Sequence, residues 1–208
     1  MRATHFLAQD LSQLGREIMS DDLNIEVSGV GPLTGAWLDE IVTGQRNGML
    51  LSIVAICVLM MIGLRSVSVG ILSMIPNLLP LVVVATTTGL VYGDIDSDTL
   101  VVLMMAIGIG VDDTIHFLMR YRIESDRHED NTEAIRQTFN FAGRAIVMTT
   151  VILAAGYFPL FFSEYYSMSI MGSMLPLALV VAMIADLLLV PALAQVGWLK
   201  YRRQRDSA

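Results

Sequence analysis

Three carboxylates and one histidine stand far from any expected membrane interface in a chain whose other charges gather at segment ends. Asp112, Asp113 and His116 fall in Ala106–Arg122, AIGIGVDDTIHFLMRYR, and Asp186 falls in a later apolar run. The stretch from Thr99 to Met119 is long enough to cross a bilayer, and at a rise of about 1.5 Å per residue the two adjacent aspartates lie deep in the hydrocarbon. An aspartate near the centre of a spanning helix costs about 2.5–3.5 kcal/mol, so it is expected to face protein or water and to have a function. His116 follows Asp112 by four residues and Asp113 by three, the separations that bring side chains together on a helix. Gly108 and Gly110 leave room for a neighbouring helix to pack closely.

Removal from water disfavours the charged form of a carboxylate, and a like charge beside it adds to the effect. Such a pair can take up and release a proton near neutral pH. That is proton-relay chemistry, with Asp112, Asp113 and His116 as its groups and Asp186 as a supporting intramembrane acid. The plainer alternative is a hydrogen bond to a neighbouring helix. It weighs most for Asp186, a single carboxylate among small residues, and for His116 as a bonded core residue.

The elements that must position these groups follow from composition. Hydrophobic residues make up 54% of the chain and mean hydropathy is +0.62. Charged residues make up 16%, against roughly 25% in soluble domains. An all-α polytopic membrane protein is expected, with spans at about 48–64, 67–92, 99–119, 145–163 and 168–196 in a transmembrane domain of residues 44–200. Residues 1–43 form a short extracytoplasmic segment of α/β type, in which Phe6, Leu7, Leu11, Leu14 and Ile18 have helical spacing. Asn24–Ser28 alternates like a strand, Gly29, Gly31 and Pro32 mark a turn, and a helix begins near Thr34. One helix and one strand bury no core, so this segment is expected to be the tail of a larger domain. No signal peptide is expected, since Met1 and Arg2 precede polar sequence. Residues 201–208 form a cytoplasmic tail.

Ten of the thirteen lysines and arginines lie at one end of the spans, at Arg65, from Arg120 to Arg144, and from Lys200 to Arg205. The positive-inside rule makes that end cytoplasmic, with the N-terminus outside and the C-terminus inside. The net charge of −7 argues against a nucleic-acid partner, and the single Cys57 allows no disulfide framework. Pro76, Asn77 and Pro80 predict a kink in the second span, and Pro176 and Pro191 one in the last. Gly172, Ser173, Ala178, Ala182 and Ala185 form a small-residue surface for a neighbour. The loop after the third span has its own helix, expected along the membrane surface, with Asp130 and Glu133 at capping-box spacing and Ile135, Phe139 and Ala142 as its apolar stripe. The charges from Glu124 to Asp130 read as a solvated face.

Other chemistry finds less support. Asp112 and His116 have the spacing of a metal pair but no second histidine or cysteine beside them, so no metal site or cofactor is assigned. Asp94, Asp96 and Asp98 approach calcium-loop spacing, yet Thr99 and Met105 stand where glycine and glutamate belong, and a turn with Asp98 capping the third span is expected instead. No phosphate-binding glycine loop precedes a lysine.

GIGVDDTIHFLMRYR resembles the proton-relay helix of resistance-nodulation-division (RND) transporters of the MMPL and predicted-exporter type, and its GVDD core is similar to sterol-sensing-domain (SSD) proteins. The resemblance continues through GRAIVMTT (Gly143–Thr150) and ADLLLVPAL (Ala185–Leu193) and covers the chain from about Ile41. It implies that the five spans are the C-terminal half of a twelve-helix bundle and that residues 1–43 end a porter domain. It also implies that Asp112 is the relay aspartate. Asp113 stands where many MMPL members have tyrosine, so a bonded Asp–Tyr pair does not carry over. The facing helix would come from an N-terminal half, a partner subunit or a second copy. The implied activity is proton-driven antiport exporting lipids or other hydrophobic molecules across a bacterial or archaeal inner membrane, by a fragment or half-transporter that is not an enzyme. The alternative is a sterol-sensing-like lipid-binding or regulatory module without pumping. An intramembrane aspartyl protease pairing Asp112 with Asp186 fits poorly, because Val111 separates the aspartate from Gly110.

Overall fold

A bilayer core supplies no hydrogen-bond partner for a peptide group, so apolar spans of this length fold as helices, which bond their backbone internally. In the computed structural model, which describes residues 30–93 and 96–196, the elements are helical throughout. They are α1 (Val30–Gly63), α2 (Val67–Leu72), α3 (Met74–Val91), α4 (Ser97–Arg127), α5 (Asn131–Thr138), a π-helical turn (Phe139–Gly143), α6 (Arg144–Tyr157), a 3-10 turn (Phe158–Phe162) and α7 (Tyr166–Gln195). Five stretches are long and apolar enough to cross a membrane: Glu40–Gly63, Val67–Val91, Ser97–Arg127, Asn131–Phe162 and Tyr166–Gln195.

The expected α/β character of the N-terminal segment finds no support. Among the described residues there is no strand, and Asn24–Ser28, with the helix expected from Phe6, lies outside them. Helix α1 begins at Val30 rather than near Thr34. Gly31 and Pro32 therefore sit in its first turn, where proline costs no hydrogen bond.

The chain forms two compact units, Met1–Gly48 and Met49–Ala208. Of the first, the start of α1 is described, with Trp37 and Glu40 exposed. The second is organised around α7, on which α3, α4, α6 and the 3-10 turn all pack. Its sequence explains why. Gly172, Ala178, Ala182 and Ala185 are all buried, and small residues let backbones approach where lipid removes the hydrophobic drive between helices. A Cβ on Gly172 would overlap the backbone of Leu160 and Phe161. Of the small-residue surface read from the sequence, Gly172 is the seat of the 3-10 turn, and Ala182 lies against Gly110 of α4. Pro176 and Pro191 leave α7 one continuous helix.

The second span is interrupted at Ser73, between α2 and α3. Pro76 has no N–H to offer, and the Asn77 side chain turns back to donate to the Ser73 carbonyl at 2.8 Å.

Three local expectations are corrected. The third span is capped by Asp96, whose Oδ1 accepts from the Thr99 N–H at 2.9 Å and from its hydroxyl at 2.8 Å. Asp98 instead accepts from the Ser167 hydroxyl at 2.6 Å, tying the start of α4 to that of α7. Asp130 does cap α5, through Thr132, but Glu133 pairs with Arg136 and Gln137, so the capping box is not closed. Nor does α5 stand apart as a surface helix. It runs through the π-helical turn into α6, held by an edge-to-face contact of Phe139 on Phe117 with centroids 5.5 Å apart.

Replacing Gly172 by alanine is expected to destabilise the bundle by about 1–3 kcal/mol through overpacking. Gly89→Ala has nothing within 4 Å to displace and is expected to leave stability unchanged or slightly higher. Thermal unfolding of the two variants in detergent checks the contrast.

Candidate functional site

Asp112 is the central residue of α4. Successive residues on a helix turn by about 100°, so Asp112, Asp113 and Thr114 point three ways. The Asp112 side chain is 74% exposed, Asp113 is half-buried and Thr114 is fully buried. His116 shares the open face, with Nε2 3.4 Å from Asp112 Oδ1 and its side chain 71% exposed. Of the two carboxylates within its reach, the one it contacts is Asp112. Asp113 interacts electrostatically with both Asp112 and His116.

These three groups line one groove of about 410 Å³, together with Arg120 of α4, Ala142 of the π-helical turn and Ala145, Ile146 and Thr149 of α6. The groove is polar on the α4 side and mostly apolar on the other.

Asp186 lies elsewhere. It is 2% exposed on α7, and its Oδ1 accepts from the Thr114 hydroxyl at 2.6 Å. Asn77 Nδ2 donates to Thr114 Oγ1 at 3.0 Å. The bond across a helix interface weighed from the sequence describes Asp186. Asp112 in the groove and Asp186 in the packed interior do not form the shared carboxylate site a protease needs. Gly110 makes the close approach possible, since a Cβ there would stand 3.3 Å from Asn77 Oδ1 and 3.6 Å from the Ala182 Cβ. Gly108 is on the open face, with nothing within 4 Å of a Cβ. Among the described residues, Gly110 meets a neighbouring helix and Gly108 does not.

The sequence reading missed three polar residues. Thr114 and Asn77 carry the buried network; a threonine beside the aspartates and an asparagine between two prolines were the available signals. The third is Glu124, read as part of a solvated face but 3% exposed. It is paired with Arg120 Nη2 at 2.6 Å, His128 Nε2 at 3.5 Å and Arg127 Nη1 at 3.6 Å. The Arg120 guanidinium also lies over the Phe141 ring, 4.2 Å from its centroid. The signal was spacing: Asp112, His116, Arg120 and Glu124 of α4 and its C-cap His128 recur every fourth residue. Among the described residues no group of three or more histidines, cysteines or carboxylates could hold a metal ion.

A helical bundle with five bilayer-length apolar segments and an acidic groove on a central helix defines an integral membrane protein. The sequence pattern of the MMPL family matches residues 7–207, and the chain belongs to that family, of RND/MMPL type. Among curated proteins it is 24% identical over 173 residues to the hopanoid transporter HpnN of Burkholderia multivorans, covering 83% of this chain and 20% of the relative. ActII-3 of Streptomyces coelicolor, named as a membrane protein, is 24% identical over 194 residues, covering 89% of this chain and 27% of the relative. MJ1562 of Methanocaldococcus jannaschii, also named as a membrane protein, is 25% identical over 171 residues, covering 81% and 44%. The chain thus spans less than half the length of these relatives. No solved structure matches it.

Removing the buried Glu124 carboxylate leaves the guanidinium of Arg120 without its counter-charge. The Glu124→Ala variant is expected to lose about 1–3 kcal/mol of stability. Chemical denaturation followed by circular dichroism measures the loss.

Proposed function

We propose that this chain supplies the proton-relay half of a secondary active exporter driven by the proton-motive force. The observation that carries the reading is Asp112. It is the midpoint of a spanning helix, and its side chain, 74% exposed, lies on a face that the described residues leave uncovered. A carboxylate there costs about 2.5–3.5 kcal/mol against lipid, so that face requires protein or water opposite it. An N-terminal half, a partner subunit or a second copy of the chain would supply the facing helix. With the arginine-rich end in the cytoplasm, a proton arriving from outside binds Asp112, while Asp113 and His116 tune its affinity and hold the groove polar. Loss and gain of charge at the middle of α4 shift its packing against the facing helix and drive the export cycle.

The cargo is a lipid or another hydrophobic molecule. Membership of the MMPL family and the similarity to a hopanoid transporter support this class.

Asp112→Asn keeps the side-chain size but cannot titrate. With the protein as its host makes it in proteoliposomes, an internal pH dye is expected to report proton flux reduced to the level of protein-free vesicles. Undiminished flux would remove the relay reading and leave a lipid-binding module without pumping.

A further inference from the structure

Asp186 is used by no step above, and its surroundings are unusual for a carboxylate. Oδ1 has one hydrogen-bond donor, Thr114, and Oδ2 is buried with no hydrogen-bond partner among the described residues. The carboxylate's neighbours supply no compensating cation. Of the described elements packed on α7, α3 and the 3-10 turn contain no ionisable side chain. Helix α6 contributes an exposed Arg144 and a half-buried Tyr157, at its two ends. Helix α5 contributes Glu133 and Arg136, which pair with each other at 3.0 Å. From α4 comes Asp113, whose like charge acts on Asp186. A buried ionised carboxylate with one donor and no counter-charge is held at a cost of several kcal/mol, which a bound proton removes.

The network around Asp186 has a direction. Asn77 Nδ2 donates to the Ser73 carbonyl at the α2–α3 break and to Thr114 Oγ1, and the Thr114 hydroxyl donates on to Asp186. Asn77 is the donor at the centre of this chain, with the Ser73 carbonyl at the interrupted helix as the acceptor at one end and Asp186 as the acceptor at the other. A hydrogen bond to an ionised carboxylate is roughly twice as strong as one to a neutral acid. The protonation of Asp186 therefore sets how firmly Thr114 and Asn77 tie α3 to α4 and α7.

We propose that Asp186 is a second proton-binding carboxyl, an inner site that transmits its charge state through Thr114 and Asn77 to the α2–α3 break. On protonation an O–H bond forms at the Asp186 carboxylate and its negative charge is lost. This inner site does not rest on the proton-relay reading.

Infrared difference spectroscopy of the full-length protein, titrated from about pH 9 to pH 5, tests this through the carbonyl stretch of a protonated carboxylic acid. A band is expected that Asp186→Asn abolishes, that Thr114→Val shifts in frequency and that Asp112→Asn retains. Asp113→Asn is expected to move its titration midpoint. A spectrum unchanged in both Asp186→Asn and Thr114→Val overturns the inner site, and Thr114→Val gives this answer even where Asp186→Asn does not fold. An unmoved midpoint in Asp113→Asn overturns the electrostatic coupling of the two carboxyls. The band's survival in Asp112→Asn, set beside the flux of that variant, separates failure of the inner site from failure of the relay.

Discussion

A bilayer core has no water with which to complete a hydrogen bond, so each polar group carried into it must find its partner in protein. Helix α4 meets this constraint differently on its two faces. On the packed face Thr114 is saturated by Asn77 and Asp186, drawn from helices far apart in the chain. On the open face Asp112 and His116 have each other at 3.4 Å and otherwise the groove. The asymmetry gives the helix a fixed side, anchored by buried bonds, and an unsatisfied side on which chemistry can occur.

The anchoring depends on side chains that are absent. In lipid, helices are brought together by close packing rather than by expulsion of water. Gly110 lets Asn77 reach Thr114, Ala182 lies beside them, and Gly172 admits the backbone of the 3-10 turn. Helix α7, with Gly172, Ala178, Ala182 and Ala185 buried, can therefore act as the common surface for α3, α4 and α6. Larger residues at these positions would hold the helices apart and leave Asp186 without its donor.

At the arginine-rich end helix α4 carries a compact charge cluster. Glu124 is buried because Arg120, Arg127 and His128 surround it one turn away on either side, and Arg120 is steadied by the face of Phe141. Arg120 also lines the groove. The groove thus ends at a cation whose position is fixed by a carboxylate and an aromatic ring.

The class of protein, the five spans and the placing of His116 beside Asp112 on one helix face were legible in the sequence, because hydropathy and helical spacing are local properties. The proline-rich second span was legible as a kink, and Asp186 as a group able to bond across a helix interface. Which face of α4 is packed was not. Thr114 lies 37 residues from Asn77 and 72 from Asp186, and no local pattern encodes meetings at that distance. Caps and charge runs were misread for a related reason. Asp96 and Asp98 are equivalent by spacing, and the choice between them was made by Ser167 at the start of another helix. Glu124 looks solvated in sequence and is buried in the fold. The sequence by itself determined that charges would lie within the membrane; tertiary packing decided which of them are enclosed and which remain open, because burial depends on what the other helices bring.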